Sequence, residues 1–173
     1  RGTREAIEQL KQMGIRTIML TGDSENVASE VSHSLGIDEY RAELLPAEKV
    51  TVVEELKKEG VTVMIGDGIN DTPALTSADV GIAMGAVSSD AALEIADIAL
   101  MKEDLTRIPQ LITKAKKTMR VVRQNVATSL SVKTITAILA TLGLMTLWMA
   151  IGIGDMGLTF VVIANALRLA KKQ

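Results

Sequence analysis

The sequence predicts an α/β domain built on a parallel sheet, followed by a transmembrane hairpin of two helices. Three observations predict it. Short apolar runs alternate with amphipathic stretches up to about residue 118, and strand–helix–strand repetition gives a parallel sheet with helices on both faces. The apolar run Val61 to Ile65 ends in the glycine-rich acidic turn Gly66-Asp67-Gly68-Ile69-Asn70-Asp71. Beyond that domain charge almost disappears: Lys133 is the only charge from Val126 to Ile151, and Asp155 the only one from Gly152 to Leu167.

The elements follow in order. Glu5 to Met13 has helical spacing and stops at Gly14. Arg16 to Leu20 is a short apolar run, expected as a buried parallel strand. Thr21-Gly22-Asp23 is a turn, and Ser24 caps a helix that runs to Leu35 and stops at Gly36. Pro46 occupies a first helical position, with the helix continuing from Ala47 to Glu59 and stopping at Gly60. Val61 to Ile65 is the second strand and Thr72 to Ala78 a short helix. Val80 to Met84 and Ile98 to Met101 are further strands, with a helix around Asp90 to Ala96 between them. Leu105 to Arg123 reads as one helix with a possible break at Pro109. The domain boundary is expected near Thr118, dividing the chain into 1–118 and 119–173.

Gln124 to Arg168 holds two helices of membrane-spanning length, each needing roughly 20 apolar residues, and a turn expected between Thr146 and Gly152. Lys114, Lys116, Lys117, Arg120 and Arg123 precede this hairpin, and Arg168, Lys171 and Lys172 follow it. By the positive-inside rule both ends are cytosolic, and Trp148 near the turn suits an interfacial anchor. The competing interpretation is a buried helical hairpin in a soluble protein. The one-sided basic flanks favour an integral membrane protein of the cell (plasma) membrane, with most of the chain in the cytosol.

Composition narrows the remaining classes. The chain has 173 residues and a net charge of −2, with no basic stripe interleaved with aromatics, so no nucleic-acid partner is expected. It has no cysteine, which excludes disulfides and thiolate metal sites within it. It opens Arg1-Gly2-Thr3-Arg4-Glu5 inside an amphipathic helix, without a signal peptide; the absence of an initial Met suggests a fragment or a chain numbered from mid-protein.

Asp67 and Asp71 fall at the carboxyl edge of a strand, where α/β proteins build their sites. Two close carboxylates repel unless a cation lies between them. They suit Mg²⁺, which takes hard oxygen ligands and usually arrives with a phosphate. The alternative is a solvated turn, because Gly, Asn and Asp are ordinary turn residues. The Thr21 hydroxyl and the amides of Thr21-Gly22-Asp23 stand at a helix start and can bind a phosphoryl oxygen. Lys49, early in its helix, can neutralise phosphate charge, although taken alone it reads as a solvated helix lysine. A hydroxyl, a lysine and an acidic pair make the phosphate and Mg²⁺ half of a phosphoryl-transfer site.

These residues resemble a known family. Met19-Leu20-Thr21-Gly22-Asp23, Leu45-Pro46-Ala47-Glu48-Lys49, Gly66 to Leu75 and Ala78-Asp79-Val80-Gly81-Ile82-Ala83-Met84 are similar to the phosphorylation domain of P-type ATPases, of the haloacid-dehalogenase superfamily. The resemblance implies that Thr21, with Gly22 and Asp23 in its turn, contacts the phosphoryl group. Lys49 would balance its charge. Asp67 would ligate Mg²⁺ with Asn70 and Asp71 in support, and ATP would be the intact pump's substrate. The family's nucleophile is the Asp of a D-K-T-G-T motif, and no Asp here is followed by Lys-Thr-Gly-Thr. The resemblance therefore implies a partial domain whose partner is the missing N-terminal part of the same pump. Alone this chain is expected not to autophosphorylate.

Within the hairpin, Lys133 lies about 13 Å from the cytosolic end and Asp155 about 20 Å from the cytosolic exit, at 1.5 Å per residue. Intramembrane charges are costly and mark ion pathways by default. Either the two form a structural pair joining the helices, or Asp155 ligates a transported divalent cation with Lys133 as built-in counter-ion. Gly154 and Gly157 would let a neighbouring helix approach. Met145, Met149 and Met156 read better as gap-fillers than as ligands, His33 as a surface residue, and Asn165 as a helix–helix hydrogen bonder. Gln124-Asn125, Asn165-Ala166-Leu167-Arg168-Leu169, Lys133 and Asp155-Met156-Gly157 resemble the zinc/cadmium/lead branch of the heavy-metal pumps. The function implied is ATP-driven export of Zn²⁺, Cd²⁺ or Pb²⁺ from a lipid membrane. A membrane-tethered phosphatase and a stand-alone accessory subunit or relic are the alternatives.

Overall fold

The computed structural model describes residues 2–67, 70–85 and 94–169. The chain divides into two compact units, Arg1–Pro109 and Gln110–Gln173.

The first unit is α/β. Its elements are α1 (Thr3–Gln12), β1 (Ile18–Leu20), α2 (Glu25–Leu35), β2 (Glu39–Arg41), α3 (Pro46–Glu59), β3 (Val63–Gly66), α4 (Thr72–Ser77), β4 (Val80–Met84) and β5 (Ile98–Leu100). Local chemistry sets their ends. Gly36 closes α2 in the left-handed region, at φ 73°, which glycine adopts without steric cost. Pro46 opens α3, and the Glu48 carboxylate accepts from the Leu45 amide at 2.7 Å, satisfying a donor the helix leaves free.

Every strand pairing is parallel, as expected. The described strands form two sheets, however: β1 with β2, and β3–β4–β5. Ladder hydrogen bonds do not join β1 to β3. The connection is apolar: Leu20 of β1, with Val50 and Ala78, packs against a core of Val53, Met64, Ala74 and Leu75. Gly81 brings β4 close to α4, since a Cβ there would lie 2.6 Å from the Leu75 carbonyl oxygen.

Three carboxylates clip the amino-terminal ends of neighbouring strands. Asp38, just before β2, accepts from the Thr17 amide at 2.9 Å. Asp79, just before β4, accepts from Thr62 at 2.9 Å. Asp97, just before β5, accepts from Gly81 at 2.8 Å. The strand β2 went unanticipated because Glu39-Tyr40-Arg41 is short and polar; pairing with β1 and a 2.8 Å bond from Tyr40 Oη to Glu25 Oε1 hold it. The helix expected at Asp90 to Ala96 lies largely outside the described residues.

Helix α5 runs unbroken from Arg107 to Thr141. Pro109 sits in its first turn, where the missing amide costs no helical bond, so the break does not occur. In the second unit α5 is followed by α6 (Leu147–Ile151), a π-helical segment (Gly152–Gly157) and α7 (Leu158–Leu167). The turn lies at residues 142–146, earlier than expected. Gly143 takes φ 71° there, and the Thr146 hydroxyl caps α6 by accepting from the Met149 amide at 3.4 Å. Gly152, anticipated in the turn, is inside the helical run.

The chain then doubles back along α5. Asn165 Nδ2 donates to Asn125 Oδ1 at 2.8 Å, and Gly154 is buried with Thr136 beside it. The expected hydrogen-bonding role of Asn165 is thus met. One stretch among the described residues, Trp148–Leu167, is long and apolar enough to cross a membrane, and only 6% of it is buried. A core helix of a soluble protein would be mostly covered. The outer half of α5 is interrupted by Ser129, Ser131, Lys133, Thr134 and Thr136 and does not meet that measure.

Candidate functional site

The expected phosphate-binding residues stand at the carboxyl ends of β1 and β3 and at the starts of α3 and α4. Gly66 ends β3, and Asp71 is the residue before α4. Asp71 does not cap that helix with its side chain. Its carboxylate turns back over Gly66, where an added Cβ would lie 2.8 Å from Asp71 Oδ2. Only glycine leaves that room, which gives the first glycine of the motif its physical reason. Asp71 Oδ1 accepts from Lys49 Nζ at 2.7 Å, and the two side chains are just 17% and 14% exposed. The lysine that sequence alone leaves as a solvated helix residue is therefore drawn inward onto the acidic turn.

Asp67 and Asn70 are exposed on the same turn. Gly68 and Ile69 lie outside the described residues. Thr21 Oγ1 donates to Asp23 Oδ2 at 2.9 Å and accepts from the Asp23 amide at 3.1 Å. This folds Thr21-Gly22-Asp23 into a compact turn before α2. The loop leading to α3 closes against it: the Leu44 amide donates to the Thr21 carbonyl at 3.0 Å, and the Glu43 amide to the Asp23 carbonyl at 2.9 Å. Glu43 takes φ 57°, the one described non-glycine residue with positive φ. Leu44 and Glu43 thus join the Thr21 turn to the start of α3, and Lys49 joins α3 to Asp71. Sequence gave no sign of Glu43, since a left-handed Glu has no compositional signature.

The donor set bears on Mg²⁺. Asp67, Asp71 and the Asn70 amide are hard oxygen donors on one turn, the chemistry that Mg²⁺ takes. No group of three or more His, Cys, Asp or Glu gathers among the described residues.

The hairpin brings its two ionisable residues together. Lys133 Nζ lies 4.0 Å from Asp155 Oδ1, with both side chains about two-thirds exposed, at 65% and 67%. Asp155 sits inside the π-helical segment, a rare form that is frequent at functional sites. Its carbonyl accepts from Thr159 Oγ1 at 2.7 Å. An open cleft of ≈ 300 Å³ runs beside the pair, with Ser129 and Thr159 adding polar groups to it. Gly154 rather than Gly157 faces α5: a Cβ at Gly154 would lie 3.5 Å from Thr136, whereas one at Gly157 would meet the Gly152 carbonyl of its own helix.

Comparison with known proteins accords with this arrangement. The family of haloacid dehalogenase-like hydrolases matches residues 1–79. A zinc-transporting ATPase of Synechocystis is 46% identical over 171 residues, covering 96% of this chain and 24% of that protein. A cadmium, zinc and cobalt-transporting ATPase of Bacillus subtilis is 45% identical over 172 residues, with 96% and 24% covered. The crystal structure of a zinc-transporting PIB-type ATPase in its E2.Pi state superposes with a TM-score of 0.91 at 41% identity, over 97% of this chain and 27% of that one. A deoxy-D-mannose-octulosonate 8-phosphate phosphatase of Haemophilus influenzae, 22% identical with a TM-score of 0.58 over 67% of this chain and 71% of that one, shares the fold. The chain thus spans about a quarter of the length of the curated relatives it matches. On the identity shared along nearly its whole length, this chain belongs to the heavy-metal P-type ATPase family.

Proposed function

We propose that this chain is the C-terminal portion of an ATP-driven exporter of divalent heavy-metal cations, Zn²⁺, Cd²⁺ or Pb²⁺, working through an aspartyl phosphate formed outside it. Residues 1–118 are the cytosolic phosphoryl-handling part. Residues 119–173 are a hairpin of two transmembrane helices in the plasma membrane. One observation carries the reading: a single chain holds both an acidic turn joined to a lysine at the ends of parallel strands and an ionisable pair inside an apolar helical hairpin. The names of the relatives, zinc- and cadmium-transporting ATPases, support Zn²⁺ and Cd²⁺.

In this reading the Thr21 hydroxyl and the turn amides hold phosphoryl oxygens, and Lys49 offsets their charge. Asp67, with Asn70 and Asp71, would hold Mg²⁺, which neutralises charge on the phosphoryl group. In the resting arrangement Lys49 pairs with Asp71, so both groups are positioned before phosphate arrives. Asp155 is the ligand of the transported ion, and Lys133 fills its place when the ion leaves. Burying a carboxylate in lipid is costly, and a cation within reach lowers that cost in either state.

The cytosolic half is tested by Asp67→Asn in the intact pump. Phosphoenzyme formation should fall at least about a hundredfold, the scale of removing one electrostatic contributor at a reacting centre, and excess Mg²⁺ should partly restore it. Phosphoenzyme at wild-type level and unchanged Mg²⁺ dependence would refute the assignment.

A further inference from the structure

Residues 105–154 contain no Asp or Glu, and five Lys and Arg, Lys114, Lys116, Lys117, Arg120 and Arg123, fall within ten residues of α5. All five are exposed, and none forms a salt bridge among the described residues. Three of them, Lys116, Arg120 and Arg123, are spaced four and three apart and so line one helical face.

The level of this stripe follows from the hairpin. Asn125 is hydrogen-bonded to Asn165, and Arg168 Nη1 donates to Asn165 Oδ1 at 3.3 Å. Arg123 therefore lies two residues outside the Asn125–Asn165 crossing, at the end of the apolar run. Lys116 is about 10 Å further along the helix. The headgroup layer adds about 5–7 Å on each side of the hydrocarbon, so Arg120 and Arg123 fall within it, and Lys116 lies about 3 Å outside it, from where its flexible four-carbon stem reaches back to the headgroups. Val122 and Val126 on neighbouring faces are 43% and 61% exposed. The segment thus carries apolar and cationic surface side by side, the composition of a helix face that meets lipid.

We propose that Lys116, Arg120 and Arg123 form a binding stripe for the phosphate groups of anionic phospholipids, concentrating these lipids around α5 at the cytosolic headgroup layer. The proposal rests on the hairpin being membrane-inserted. The occupant is lipid because the stripe is continuous with the apolar run and its charges are free of carboxylates, so that anionic headgroups are the complementary charge at that depth.

Two single-Trp forms of the full chain test it, each reconstituted in vesicles containing brominated phosphatidylglycerol or, at equal mole fraction, brominated phosphatidylcholine. One is wild type, in which Trp148 reports from the turn end of the hairpin. The other is M119W/W148F, whose indole replaces the half-exposed Met119 beside the stripe. The brominated phosphatidylglycerol should quench the M119W/W148F indole at least about twofold more strongly than the phosphatidylcholine does, as expected when basic side chains gather anionic lipid. The ratio should fall to one on adding Lys116→Gln, Arg120→Gln and Arg123→Gln. Equal quenching by both lipids without those three changes overturns the stripe while leaving the membrane reading intact, provided that Trp148 is quenched. Failure of both lipids to quench Trp148 overturns the membrane reading and the stripe with it. Should M119W/W148F not fold, native mass spectrometry of the unaltered chain replaces it. Anionic lipid retained by wild type and lost from the triple glutamine variant supports the stripe, and equal retention overturns it.

Discussion

At the residue scale the Lys49–Asp71 pair is the most informative contact. Both side chains are mostly covered, so removing one partner leaves a poorly solvated charge behind. Lys49→Met should lower the stability of the first unit by about 1–3 kcal/mol, the cost of an unsatisfied buried polar group, seen as a lower thermal midpoint. An unchanged midpoint would mean the pair is as solvated as a surface salt bridge. Asp38 gives a pH prediction. Hydrogen bonding from Lys11 first, then from Thr17, lowers its carboxyl from 3.8 to about 2. A carboxyl with a depressed folded-state pKa contributes stability above its unfolded value and loses it as pH falls. The contribution of Asp38 should thus be complete above pH 3.8 and disappear as pH falls through about 2. Thermal midpoints recorded from pH 5 to 2 should lose part of their acid dependence in Asp38→Asn, and identical acid profiles would contradict the assignment. Sequence made the types and order of Thr21, Lys49, Asp67 and Asp71 legible, because each follows a strand or opens a helix. It could not reveal that Lys49 meets Asp71 across 22 positions, because that depends on α3 and α4 packing on a shared apolar core.

At the scale of elements, helix limits were legible where glycine, proline and capping residues mark them, as at Gly36, Pro46 and Gly60. The polar strand β2 was not, because tertiary pairing overrides its weak local preference. The three aspartates before β2, β4 and β5 were a usable signal: an Asp directly before an extended run recurs at positions 38, 79 and 97, and each secures a neighbouring strand. The expected turn of the hairpin extends too far because Gly152 reads as a turn residue, whereas it belongs to a π-helical stretch. Gly154 is where α7's side of the hairpin packs on Thr136. Gly154→Ala should be tolerated, since its Cβ would lie at an ordinary 3.5 Å contact distance. Gly154→Leu should push the helices apart, costing about 1–3 kcal/mol as overpacking does. Paired spin labels on α5 and α7 would read the separation. An unchanged distance in the leucine variant would show that the glycine is not what sets the spacing.

At the scale of the whole molecule, the chain joins an α/β unit to a helical unit with a stretch apolar and long enough to cross a membrane, and the proposed function assigns phosphate handling to the first and an ion-binding carboxylate to the second. The composition shift near residue 118 points to two parts in the sequence, and the basic flanks carry the proposed orientation. The physiological metal was not legible, since a lone carboxylate with a lysine beside it does not distinguish among divalent cations. The most direct test of the account is phosphoenzyme formation by Asp155→Ala in the intact pump, measured from ATP with Zn²⁺ and, separately, from inorganic phosphate without metal. The account predicts that the variant loses metal-dependent phosphorylation from ATP and retains phosphorylation from inorganic phosphate. Metal-stimulated phosphorylation from ATP at wild-type level would contradict it.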